Sequence, residues 1–291
     1  PYCILSLYNA ICRKRVIGKA QSRAPQEIGT PEDKMRKIAI AGLRQTFPDC
    51  IFGGALLVAL LAPGSSGWAG PPYFTDDPGL PDSGEFEIYV FSTGAAGREG
   101  HSGVAGIDFN YGITNDLQAT AVVPVGYDSP AGARSTIGFG NIELAAKYRF
   151  VHQAEFGWDV SVTPRVFLPS GSPVGVRHAS FLLPIWVGKN WEKWSAFGGG
   201  GCEISRGQGS RDFCLMGWAL TRQVLPNLRL GAEIYHQTPT TYAGRATTAL
   251  GAGLQFDLND HHHLLASIGP GIQNATQANQ FAWYFATLFT F

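Results

Sequence analysis

Charged residues are scarce in this sequence: Asp, Glu, Lys and Arg fill 15% of its 291 positions, where a soluble globular domain carries about a quarter. Long apolar runs are missing too. No stretch reaches the ~18 consecutive apolar residues of a transmembrane helix, so a helical membrane protein has no candidate span. Methionine occurs twice, at Met35 and Met216. What the chain has instead is glycine, 37 residues of it, and 12% aromatic side chains. If such a chain crosses a bilayer, it does so with strands.

The formal net charge of zero hides an asymmetry. Up to Lys34 there are six basic residues against three acidic ones, and Arg36, Lys37 and Arg44 face only Asp49 before Ala69. From Gly70 onward, 13 basic residues stand against 18 acidic ones. No basic stripe remains to hold nucleic acid, and no such partner is expected.

Met35 is followed by Arg36 and Lys37, then by the apolar run Ile51 to Ala62, then by small residues at Gly67 and Ala69. Charged n-region, apolar h-region and small-residue cleavage site in that order are a signal peptide. We place it at 35–69, with 1–34 as a non-native or upstream extension. About twelve apolar residues are too few for a membrane anchor.

After Ala69 the apolar residues recur with period two. Ala105, Ile107, Phe109, Tyr111 and Ile113 alternate with Gly106, Asp108, Asn110 and Gly112; after Thr114-Asn115-Asp116 the pattern resumes through Leu117 to Tyr127. Such alternation, broken by turn residues, marks strands and hairpins. About twelve of these segments follow one another from Gly84 to Phe291, although ten or fourteen remain compatible with the spacing.

Two features separate a membrane barrel from a soluble sandwich. The turns after Ile113, Phe150, Asn190, Val224 and Leu258 are short, whereas those at 129–136, 169–177 and 239–244 are longer, as between the periplasmic and external ends of an outer-membrane barrel. The last strand places Phe281, Trp283, Phe285, Phe289 and Phe291 on one face, a patch that would aggregate in water and is at home in lipid. The expected fold is therefore all-β: an antiparallel transmembrane β-barrel of about 12 strands over 84–291, preceded by a periplasmic or lumen-entering segment at 70–83. Pro124, Pro164, Pro184 and Pro270 fall within proposed strands and should occupy ends, rims or bulges, because proline donates nothing to the ladder.

Gly70-Pro-Pro-Tyr-Phe-Thr-Asp-Asp-Pro78, Tyr111-Gly-Ile-Thr-Asn-Asp-Leu117 and Gly138-Phe-Gly-Asn-Ile-Glu-Leu-Ala-Ala-Lys-Tyr-Arg-Phe150 together resemble the transporter-like outer-membrane family named for the meta-pathway of phenol degradation. Leu168-Pro-Ser-Gly171, Gly217-Trp-Ala-Leu220 and Gly231-Ala-Glu-Ile-Tyr235 are similar to its later strands. The resemblance implies a channel or passive transporter in the bacterial outer membrane for small hydrophobic or aromatic molecules. It requires no cofactor.

Among site residues, Asp108, Glu143, Lys147, Arg149, Asp159, Arg165, Glu203, Arg229, Glu233, Arg245 and Asp257 lie opposite the apolar stripes and should line the lumen. With both signs present they either border water or neutralise one another in a plugged interior. Tyr73, Phe74, Thr75, Asp76 and Asp77 precede the first strand and belong inside or beneath the barrel mouth. His261, His262 and His263 are neighbours whose side chains must diverge along a strand, so no metal site is expected.

His178 with Ser180, and His236 near Thr238, are the best pairs for a rim-active lipid enzyme, but no GxSxG occurs and no catalytic residue is assigned. Phe289 and Phe291 form the assembly signal, so the expected partners are outer-membrane lipids, the assembly machinery and a small-molecule substrate. Cys202 and Cys214 sit symmetrically about Gln208, where a regular ladder opposes them. A disulfide between them is expected; the alternative is two lipid-facing thiols, and a bulge at Gly207 or Gly209 would shift the register.

Overall fold

A computed structural model describes residues 71–207, 209–276 and 279–291. The expected signal peptide and the extension before it lie outside these residues. The strand segments are β1 (Phe86–Gly97), β2 (Gly100–Thr114), β3 (Leu117–Pro130), β4 (Thr136–Phe139), β5 (Ile142–Val151), β6 (Asp159–Val162), β7 (Arg165–Leu168), β8 (Ser180–Trp191), β9 (Trp194–Ser205), β10 (Phe213–Leu225), β11 (Leu228–Gln237), β12 (Thr247–Asn259), β13 (His262–Gln273) and β14 (Phe281–Thr290). β4 and β5 both pair with β3 and form one strand broken at Gly140–Asn141. β6 and β7 likewise lie between β5 and β8, broken at Thr163–Pro164. Twelve antiparallel strands result, and β1 closes on β14 from Glu87↔Thr290 to Ala96↔Phe281. Phe86 and Phe291 exchange both backbone hydrogen bonds at 3.0 Å, so the ladder has no free edge at the seam.

The period-two alternation becomes an inside and an outside. Along β14, Ala282, Tyr284, Ala286 and Leu288 are buried while Phe281 and Phe285 are exposed. Ile185, Trp218 and Phe285 keep about half their surface exposed (49%, 53% and 50%), continuing a band of apolar side chains around the outside. In water such a band would drive association; in hydrocarbon it is the favourable face. Among the described residues no helix is long and apolar enough to cross a membrane.

Two of the prolines sit deeper in their strands than expected. Pro164 falls in the β6–β7 break, and Pro270 pairs with Phe281 near the end of β13. Pro124 and Pro184, however, lie inside β3 and β8. Each missing donor is placed beside an existing break: the carbonyl of Pro124 accepts from Gly140 N at 2.8 Å, and that of Pro184 from Thr163 N at 3.1 Å.

At one end four connections are two-residue turns, at Asn115–Asp116, Glu192–Lys193, Pro226–Asn227 and Asp260–His261, while 152–158, expected to be short, runs through a one-turn helix at Gln153–Phe156. At the other end lie the two-residue turn Arg98–Glu99 and the longer connections 131–135, 169–179, 206–212, 238–246 and 274–280. The first end is periplasmic and the second external.

Candidate functional site: the occluded lumen

The inner wall of β10 to β12 carries glycines where a chain must approach. A Cβ on Gly231 would lie 2.5 Å from the Tyr73 hydroxyl, and one on Gly253 would lie 2.5 Å from Tyr73 Cε1. Into this smooth wall fits the segment ahead of β1. Tyr73 is 1% exposed and packs with Phe197 and Ala219. Phe74 stacks on Tyr235 at 4.4 Å and touches two apolar clusters. One contains Tyr89, Phe91, Val104, Leu265 and Tyr284; the other contains Phe167, Leu182, Trp186, Phe213 and Leu215. Removing such rings from water contributes about 1.5–3 kcal/mol each.

Polar contacts hold the segment from opposite walls. Glu233 on β11 accepts hydrogen bonds from Phe74 N (3.1 Å), Thr75 N (3.0 Å) and Thr75 Oγ1 (3.0 Å). On the other side the Asp76 carboxylate bridges Lys147 on β5 (3.1 Å) and Arg165 on β7 (3.0 Å). Lys147 Nζ also donates to the carbonyls of Asp77 (3.0 Å) and Gly79 (3.2 Å), and Arg165 pairs with Glu143 as well. Buried ions left unpaired would cost several kcal/mol. Here each cation has at least one carboxylate partner. Beside this clamp lies a cavity of about 50 Å³, bordered by Asp76, Asp77, Glu87 and Asp108 together with Lys147 and Arg165. Nearer the periplasm, a cavity of about 200 Å³ is lined by Asp159, Arg149, Lys189 and Pro78 to Asp82.

The anticipated lumen residues are placed as follows. Asp108, Glu143, Lys147, Arg165, Glu203 and Glu233 are buried and inward-facing. Arg229 lies inward on β11 and half-buried, and Asp257 meets His263 Nδ1 at 2.7 Å. Arg149 reaches down to Asp116 at 3.2 Å, and Asp159 accepts from Gln153 N at 2.8 Å; both sit at the periplasmic mouth rather than mid-lumen. Arg245 is a correction. It is exposed in the external loop, because the turn closed by Gly244 N on Thr241 O delays β12 until Thr247.

The three consecutive histidines go to three partners: His261 to the Thr290 carbonyl, His262 to the Phe289 ring and His263 to Asp257. The Asp116 carboxyl is held below its ordinary range chiefly by its contact with His152 Nε2 (2.7 Å); desolvation partly opposes this, and Arg149 adds to the lowering. His236 bonds Thr248 Oγ1 at 2.8 Å, whereas Thr238 Oγ1 accepts from Cys214 N; Ser180 faces inward while His178 is exposed. Neither pair considered for lipid chemistry is joined by a hydrogen bond among the described residues. Cys202 and Cys214 are directly paired across β9 and β10 and disulfide-bonded, with Cα atoms 4.0 Å apart, on the outward face.

Sequence reasoning missed the external loop 169–179. It folds inward: Val174 (2% exposed) joins the same cluster as Tyr89 and Phe91, and Val176 N donates to Asn141 Oδ1 at 2.8 Å. The available signal was two valines in a stretch otherwise made of Ser, Pro and Gly.

A closed twelve-stranded antiparallel barrel with an apolar exterior and a chain segment across its lumen is a bacterial outer-membrane protein. The chain belongs to the family described as "Putative MetA-pathway of phenol degradation", whose model matches residues 69–287. It is similar in fold to an outer membrane channel from Pseudomonas putida F1, at 15% identity and TM-score 0.60, covering 80% of this chain and 100% of that one. It is also similar to the NanC porin, at 8% identity and TM-score 0.52, covering 69% and 98%. No curated protein matches the sequence.

Proposed function

We propose that the protein is a passive outer-membrane channel for small hydrophobic or aromatic molecules, which pass through the lumen or a lateral opening once the N-terminal segment shifts. The observation that carries this reading is Phe74. It packs against two apolar clusters inside the barrel, so moving it uncovers Phe, Tyr, Trp and Leu surface beside the charged groups that hold the segment. An apolar solute is favoured when it passes from water onto such a surface, whereas an ion gives up hydration that the surface does not replace. The family's phenol-degradation description and the similar fold of a known outer membrane channel support the same reading. The outer membrane's assembly machinery is the proposed reader of Phe289 and Phe291.

A second reading, a sealed structural barrel, is favoured by the completeness of the Asp76 clamp. Uptake by vesicles holding the purified protein separates the two. Relative to protein-free vesicles, entry of a small aromatic solute should rise while entry of a sugar of similar mass stays unchanged. Entry no faster than through protein-free vesicles would overturn the channel reading.

A further inference from the structure

The cations of the external end form a pattern that the lumen does not explain. Arg98, Arg134, Arg177, Arg206, Arg211 and Arg245 are all exposed in the external connections. The three lysines beyond Gly70, Lys147, Lys189 and Lys193, lie in the lumen or toward the periplasm. Four of the arginines occupy three neighbouring loops: Arg177 between β7 and β8, Arg206 and Arg211 between β9 and β10, and Arg245 between β11 and β12. The only carboxylate in those loops is Asp212, whose Oδ1 already accepts from Ser205 N at 2.9 Å.

The loops are joined into one surface. Ser180 pairs with Ser205, so Arg177 and Arg206 follow adjacent strand ends. Ser210 bridges Thr241, Arg211 N donates to the Thr240 carbonyl at 3.0 Å, and Cys214 N donates to Thr238 Oγ1 at 2.8 Å. The Cys202–Cys214 bridge pins the base of the hairpin that presents Arg206 and Arg211. Directly below on the outward face lie Phe181, Leu183, Ile204 and Met216, each between 38% and 53% exposed.

We infer that this arc is a binding surface for a phosphorylated lipid of the outer leaflet, with headgroup phosphates on the arginines and acyl chains along the apolar face beneath. Arginine matches phosphate geometry with two parallel donors, which lysine cannot do. A rim that is cationic directly above lipid-facing side chains fits a ligand that is anionic and acylated at once. The surface lies outside the lumen, so it stands whether or not the barrel conducts.

The test uses the folded, disulfide-intact protein in mild detergent. Its probes are a bisphosphorylated lipid A, the dephosphorylated lipid with identical acyl chains, and inorganic phosphate, with bound lipid counted by native mass spectrometry. Preference for the bisphosphorylated form is expected, falling roughly a hundredfold in Arg177→Gln/Arg206→Gln/Arg211→Gln, given the usual contribution of a basic residue near an anionic lipid surface. Arg98→Gln/Arg134→Gln, in the β1–β2 and β3–β4 connections outside the arc, should keep the preference. Equal binding of both lipids, an unchanged triple variant, an equal loss in the control variant, or displacement of lipid A by millimolar inorganic phosphate would each overturn the inference. Heat-modifiable migration of every variant confirms that the barrel is folded.

Discussion

Truncating Glu233 to alanine should unseat the N-terminal segment without opening the barrel wall. The carboxylate is 4% exposed and accepts three hydrogen bonds from Phe74 and Thr75. A hydrogen bond to a charged group contributes about 1.5–3 kcal/mol. Taken near the lower limit, the three together favour the seated segment by about 4 kcal/mol. In the variant, two backbone N–H groups remain buried and unsatisfied while the segment is seated, and water satisfies them when it leaves. The loss therefore falls on the closed state. At about 1.4 kcal/mol per factor of ten, the ratio of seated to unseated forms drops roughly a thousandfold. Planar-bilayer recording should show openings that are rare in the parent protein become frequent in Glu233→Ala. A variant that migrates as a folded barrel and opens no more often than the parent would refute the idea that Glu233 holds the segment in place.

The same segment can be displaced from the wall side: Gly253→Ala drives a methyl group into Tyr73, and its openings should rise in the same recordings, with unchanged traces counting against the contact. Deleting Phe291, or replacing Phe289 and Phe291 by Ser, removes lipid-facing rings, and the deletion also removes the paired backbone bonds to Phe86. The amount of protein in the outer membrane should fall, and undiminished levels would argue against a role in assembly. Alkylation and mass spectrometry of the non-reduced protein should find Cys202 and Cys214 unlabelled, and reduction should cost about 3 kcal/mol for a loop of this length; two labelled thiols would dismiss the bridge. Because the Asp116 carboxyl is depressed in the folded state, its stabilisation of the β2–β3 turn is present above the ordinary Asp value near 3.9 and is lost as pH falls through the lower folded value. Carbon NMR of labelled aspartates should show this low titration, and Asp116→Asn should remove the acid-dependent loosening of the turn.

Much of the barrel was determined locally. Alternation along Ala105 to Ile113 and Phe281 to Phe291 assigns each residue a side, because successive side chains on a strand point to opposite faces. Short and long connections then distinguish the two ends. The symmetry of Cys202 and Cys214 about one hairpin places them opposite each other, since hairpin register follows from the turn.

What tertiary structure alone decided is which inward residues meet. Thr75 and Glu233 are 158 residues apart, and Asp76 reaches Lys147 and Arg165 on two strands at once. Period two says that a side chain faces the lumen, but not at what height or opposite what. Those depend on how twelve tilted strands are staggered when β1 meets β14. Arg245 shows the same limit at a strand end, where one more turn of loop moved a charge from the lumen to the rim. Open pore and neutralised interior were equally compatible with the charges along the strands. What the strands could not show is that Tyr73 to Asp77 enter the lumen and seat against Gly231 and Gly253, whose significance appears only when the wall is closed.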